Sequence, residues 1–428
     1  MYQIESSSQI LQTGRELLRR RTPRLRVSAN VLFLGLTSLF TDISSEMVTT
    51  VLPLYMLVNL SLTPMAFGVV DGLYLGAAAV VRLVGGFLAD RTRRYKTVAV
   101  GGYTLSMLSR VGLLTLGSAW GWLLGVVLID RLGKGVRSDS RDAMISFSTP
   151  RSGLATAFGV HRALDTAGAM MGPLIAFGIL MLAPGAYDAV FVVSLCAALI
   201  GLGILVLFVE NRPASATAPL LRAPVTIPMV ARLVRLSEVR GLVLAGGALN
   251  LATISDAFLY LTLQRRLEFN LGFFPLMYVA TAAIYMVLAL PMGMLADRIG
   301  RTRVLIASYV LLLLAYSALL LPSAGTAEVA GYVVLLGAYY AGTDGVLMAL
   351  ASARLPEDLR TSGMALLMTV SNLARLVASI LFGWLWTWQG VEFAVAVFGS
   401  GLVAAIILTS VLLGWRKGES RDDGLATT

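Results

Sequence analysis

Asp42-Ile43-Ser44-Ser45-Glu46 places two carboxylates four residues apart in an apolar stretch that carries no other charge. On a helix they share one face, a turn apart. At about 1.5 Å per residue, Asp42 stands about 16 Å beyond Val31, near the middle of a bilayer if the stretch crosses one. Two ionised carboxylates at this spacing repel. A carboxyl group that changes protonation with access to one side or the other is what proton coupling needs. The adjacent hydroxyls add groups for a substrate or a cation. An ion pair with Arg82 or Arg131 is the competing, purely structural reading.

His161-Arg162-Ala163-Leu164-Asp165 is the second candidate set. His161 is the only histidine, and an imidazole, with an ordinary pKa of about 6.5, suits a proton relay. A hydrogen-bonded structural histidine competes with that reading, and Arg162 and Asp165 at i,i+3 are spaced to pair with each other. Further charges sit inside apolar stretches: Arg82, Asp130, Arg131, Lys134, Asp256, Asp344 and Arg375, with Arg110 besides. Each costs about 2.5–3.5 kcal/mol at a bilayer centre on insertion scales, so they are expected to face a polar interior, where they bind or balance charge. Met364 and Met368, at i,i+4, offer two thioethers, but with one cysteine in the chain, Cys196, they read as packing. Neither a metal nor a cofactor is expected.

These residues need elements to hold them, and composition says which. The chain has 428 residues, 57% of them hydrophobic, a mean hydropathy of +0.80 and 14% charged residues. Water-soluble proteins carry roughly 25% charged residues, so this chain is read as dissolved in lipid. The net charge of +10 collects in short loops, which argues for membrane topology and against a nucleic-acid partner. Twelve segments are long and apolar enough to span: Val31–Val58, Met65–Ala89, Thr97–Gly117, Trp120–Val136, Gly153–Leu182, Ala189–Val209, Gly241–Leu263, Phe273–Ala296, Val304–Leu321, Val329–Ala351, Ser362–Trp386 and Phe393–Trp415. They divide the chain into an N-terminal segment 1–29, a six-helix bundle 30–209, a linker 210–240, a second bundle 241–415 and a tail 416–428. The polar, arginine-rich start is not a cleavable signal peptide. It reads equally as an amphipathic surface helix or a basic tail. The loops rich in arginine put both termini in the cytoplasm, with Arg265 and Arg266 as the exception. A cell (inner) membrane is expected.

Two copies of one loop motif stand about half a chain apart. The first is Gly86-Phe87-Leu88-Ala89-Asp90-Arg91-Thr92-Arg93-Arg94, the second Gly293-Met294-Leu295-Ala296-Asp297-Arg298-Ile299-Gly300-Arg301. This duplication resembles the major facilitator superfamily of secondary transporters. The resemblance covers nearly everything after Asn30. The second copy matches fully, and in the first Arg93 stands where the family has glycine. The fold so implied is an all-α membrane protein with twelve transmembrane helices in two pseudo-symmetric six-helix bundles, working by alternating access. The resemblance assigns Gly86, Asp90, Arg91, Gly293, Asp297 and Arg298 to a cytoplasmic gate.

Gly159, Gly168, Gly172 and Pro173 follow G-x8-G-x3-G-P. This resembles the antiporter motif of bacterial drug-proton exporters in the superfamily, without its following Gly-Gly. Such glycines let helices pack closely. Asp130-Arg131-Leu132-Gly133-Lys134-Gly135 resembles the family's arginine and glycine-rich turn, with Lys134 in place of the usual glutamine. In the family fold, helices 3, 6, 9 and 12 stay peripheral, and only Arg110, on the third, departs from that sorting.

The expected function is a proton-coupled exporter, an antiporter, of a small organic compound. Asp42, Glu46, Asp165 and His161 are the candidates for proton coupling. Arg82, Asp130, Arg131, Lys134, Arg162, Asp256, Asp344 and Arg375 are the candidates for substrate contact or charge balance. An importer or metal-ion carrier is the alternative within the family, and a transport-inactive receptor or lipid-handling scaffold the alternative outside it. An enzyme is not expected. Protons, a small-molecule substrate and the bilayer are the expected partners, for a monomer.

Overall fold

The computed structural model describes residues 28–76, 94–115, 120–149, 154–211, 236–321, 326–354 and 360–414. In the first half the helices are α1 (Ala29–Leu54), α2 (64–76), α3 (Tyr95–Thr115), α4 (Trp120–Phe147), α5 (Leu154–Leu182) and α6 (Tyr187–Phe208). In the second half they are α7 (Ser237–Leu251), α8 (Asp256–Leu267), α9 (Phe274–Ile299), α10 (Arg301–Leu320), α11 (Thr326–Arg354), α12 (Arg360–Gln389) and α13 (Val391–Leu413). Among the described residues, nine stretches are long and apolar enough to cross a membrane, with α7 and α8 together making one. Helix α4 is not among them, because it carries seven charged residues between Asp130 and Asp142.

In the first half α1 packs on α5 and α6, and α3 on α4 and α6. In the second, α11 packs on α9 and α10, and α7 on α12 and α13. Twelve crossings return the chain to the side where it began. The start of α1, the end of α4 and the residues after α6 meet there: the Asn30 amide donates to Ser148 Oγ at 2.7 Å and accepts the Glu210 N–H at 2.8 Å. That end is called basal here, and the opposite one distal. The halves meet at the distal end. Phe177 of α5 lies 5.8 Å from Phe273, Phe67 of α2 lies 4.7 Å from Phe258 of α8, and the Met65 N–H donates to Thr387 Oγ1 of α12 at 2.9 Å.

Two elements differ from the reading by hydropathy. The fourth helix was expected to end at Val136, and α4 runs on to Phe147. Arg137 and Arg141, which read as loop charges, continue the three-and-four spacing that begins at Lys134, so the helix aims them at the interior of the bundle instead of at water. The seventh span was expected to be one helix, and it breaks at 252–255, so that Asp256 opens a new helix. Tyr316 of α10 repairs the break: its hydroxyl accepts the Ile254 N–H at 2.7 Å and donates to the Ala252 carbonyl at 3.4 Å. A broken helix persists at membrane depth only where protein groups satisfy the freed backbone in this way.

Candidate functional site

The site begins where α1 crosses α5. A Cβ on Gly172 would lie 2.8 Å from the Ile43 carbonyl oxygen and 2.9 Å from Glu46 Cβ, and one on Gly168 would lie 2.9 Å from Leu39 Cα. The two helices therefore touch backbone to backbone at the level of the acidic residues. Gly159 has no such neighbour: a Cβ there would meet open space. This approach brings the Asp42 and Asp165 carboxyl groups into hydrogen-bond contact, with the charges of Lys134 and Arg137 of α4 acting on Asp42. Glu46, one turn on, faces Lys134 and Arg131. Lys134 forms no ion pair among the described residues.

Arg141 extends the cluster. Its Nη1 donates to Ser38 Oγ at 3.0 Å and to Asp165 Oδ1 at 3.5 Å, while Nε and Nη2 reach Asp142 Oδ1 at 3.2 Å. Ser38 Oγ in turn lies 2.9 Å from Nε2 of the buried His161. His161 is thus joined to the acidic pair through Ser38 and Arg141. Arg162 lies 3.6 Å from Asp165 Oδ2, with its side chain 78% exposed.

A second cluster is closed. Arg110 Nη2 of α3 donates to Asp130 Oδ1 at 3.0 Å and to Ser45 Oγ at 3.2 Å, and its Nε donates to Ser44 Oγ at 3.2 Å. Arg131 pairs with the other Asp130 oxygen and stacks on the Tyr74 ring, 3.7 Å from its centroid. All three charged residues are buried. Asp130 and Arg131 are therefore spent on each other and on Arg110, the residue that the sorting by helix had left unexplained.

The third group belongs to the second half. Arg375 Nε donates to Asn250 Oδ1 at 2.7 Å. Asp256 accepts the Tyr340 hydroxyl. Asp344 is exposed, and the charge of Arg375 acts on it. Asp71 of α2, which the sequence reading passed over, accepts the Ser379 hydroxyl of α12 at 2.6 Å. Its signal was available: a lone acid seven residues into a span. Arg141 and Ser38 were missed because α4 seemed to end too early. In the second motif copy, Asp297 pairs with Arg301 of its own half at 3.0 Å, and Arg298 and Gly293 reach no residue of the other half among the described contacts. Arg82, Gly86, Asp90 and Arg91 lie outside the described residues.

A family model for the Major Facilitator Superfamily matches residues 34–286 and 251–426. The chain belongs to this superfamily. An uncharacterized MFS-type transporter of Methanocaldococcus jannaschii is 30% identical over 372 residues, covering 84% of this chain and 89% of that one. The solved nucleoside transporter NupG superposes with a TM-score of 0.74 at 16% identity, covering 90% of this chain and 99% of that one. A bacterial homolog of the human lysosomal transporter Spinster, solved inward-facing and occupied, gives a TM-score of 0.69 at 14% identity, covering 90% of this chain and 96% of that one. At such identities the two solved structures speak for the fold alone. This superfamily member is a multi-pass membrane protein and a secondary transporter of small molecules, with two six-helix bundles of the superfamily fold.

Proposed function

We propose that this transporter exports a small organic compound in exchange for protons across a cell membrane, with both termini in the cytoplasm and the basal end facing inward. The observation that carries the reading is the Asp42–Asp165 contact. An ionised carboxylate only accepts hydrogen bonds, so two carboxyl groups in contact share one proton. Antiport needs proton and substrate to exclude each other from one site. A basic group of the substrate would take the place of that proton at Asp42 and Asp165. A negative group would meet Lys134 or Arg375, which suits a zwitterionic or anionic compound. His161, joined to the pair through Ser38 and Arg141, is the proposed relay, and the Glu46 carboxylate balances the charge of Lys134. The G-x8-G-x3-G-P run on α5 supports the outward direction, by resemblance. The motif loops carrying Asp90, Arg91, Asp297 and Arg298 are the proposed inner gate, which joins the halves when the distal end opens.

The test is proton flux in liposomes holding a pH-sensitive dye, with cationic, zwitterionic and anionic compounds offered in turn. In the wild type, one compound class drives proton movement opposite to its own. Asp42→Asn and Asp165→Asn each lose at least about 90% of that flux, as expected when a shared proton site is removed. Substrate movement that leaves the dye unchanged, at equal rates in both variants, would reduce the pair to a structural contact. Proton movement in the same direction as the substrate would replace export by uptake.

A further inference from the structure

Asp71 is placed where the two halves close on each other. A Cβ on Gly68, one turn before it, would lie 2.5 Å from the Ser379 carbonyl oxygen and 3.2 Å from Gly383 Cα. Helices α2 and α12 are thus in backbone contact at this level. At this contact the Asp71 carboxyl accepts the Ser379 hydroxyl across the interface. From the α7–α8 break, Ser255 and Asp256 face it. From α9 the Tyr278 ring faces both acids. Asp256 in turn faces Tyr340, Asp344 of α11 and Arg375 of α12. Among the described residues no lysine, arginine or histidine faces Asp71 itself.

We propose that Asp71 is the positioning residue of the distal gate, which holds α2 to α12 through Ser379 only while a proton sits on the Asp71–Asp256 pair. Two bare carboxylates half-buried between packed helices, with Arg375 as the one cation facing Asp256, leave charge that is only partly compensated, and such charge costs up to several kcal/mol per ion. With a proton on one of them, the pair is tolerated and the gate stays shut. When the halves part, Asp71 leaves Ser379 and Asp256 behind, water reaches it and the proton departs to the distal side. A carrier that opens distally must therefore recover a proton from that side before it can close. The device makes the return step conditional on protons without touching the substrate. It does not depend on the proton carriers assigned to Asp42 and Asp165, and its test uses no substrate.

Spin labels on cysteines replacing Leu182 and Leu321 report the distal opening, since Leu182 ends α5 and Leu321 directly follows α10 in the opposite half, and they are 90% and 63% exposed. The exposed Cys196 is first changed to serine. In the full-length wild type, the short-distance population dominates in acid and a long-distance population grows in alkali. Asp71→Asn keeps an acceptor for Ser379 and carries no charge, so the short distance persists at both pH values and the pH response is lost. Ser379→Ala removes the hydroxyl alone. It lowers the short-distance population at both pH values and keeps the pH response. A wild-type pH response in Asp71→Asn overturns the proposal. So does a gate that stays open in acid in Asp71→Asn, because the ionised carboxylate would then be the closing form.

Discussion

Asp130→Ala is expected to leave little folded transporter in detergent. The substitution removes the one anion between two buried guanidiniums, Arg110 and Arg131, whose side chains are 4% and 5% exposed. Breaking a buried pair by deleting one partner costs about 3–5 kcal/mol, a large share of the roughly 5–15 kcal/mol that holds a typical domain together. The serines cannot compensate, since Ser44 and Ser45 already accept Arg110. The same reasoning predicts that replacing Arg110, Asp130 and Arg131 together with apolar residues of similar volume is tolerated better than Asp130→Ala alone, because no charge is then stranded. Thermal melting followed by fluorescence-detected size exclusion measures both. A melting temperature for Asp130→Ala equal to that of the wild type would show that the cluster contributes no net stability.

Gly172→Leu is expected to cut transport by at least about tenfold while the protein still folds, because shifts near 1 Å at a working pair carry penalties of that order or larger. The added side chain has no space: its first carbon already meets the Ile43 carbonyl and Glu46. Helix α1 must move off α5, and the Asp42–Asp165 contact opens with it. Gly159→Leu is the control. It alters the same glycine motif on the same helix, but its side chain enters open space, so near wild-type transport is expected. Rates measured in the same liposomes separate the two. Equal rates for Gly172→Leu and Gly159→Leu would mean that the spacing of α1 and α5 has no part in transport.

The contrast between those glycines shows how far a motif can be read. Gly159, Gly168 and Gly172 are equivalent in the pattern, yet only the last two lie against another backbone. Spacing along one helix says which residues share a face, not which neighbour that face meets. The acidic set behaved likewise. Asp42, Glu46, His161 and Asp165 stood out in the chain because charge inside an apolar stretch is costly. The assembly of His161 and the Asp42–Asp165 pair around Arg141 and Ser38 depends on α4 continuing to Phe147.

Hydropathy and duplication determined the membrane class, the two-bundle plan and nearly all of the span positions, because the preference of a residue for lipid or water is a local property that sums along the chain. The tertiary structure alone decided the pairing. It placed Arg110 of a helix expected at the periphery against Asp130, and it put Asp71 across the interface from Ser379, a residue 308 positions away. It also broke the seventh span beside Asp256. No proline or glycine stands in Ala252-Thr253-Ile254-Ser255 to announce that break. The break is held by the Tyr316 hydroxyl from another helix, and a partner supplied through space leaves no trace in the composition of the segment that it stabilises.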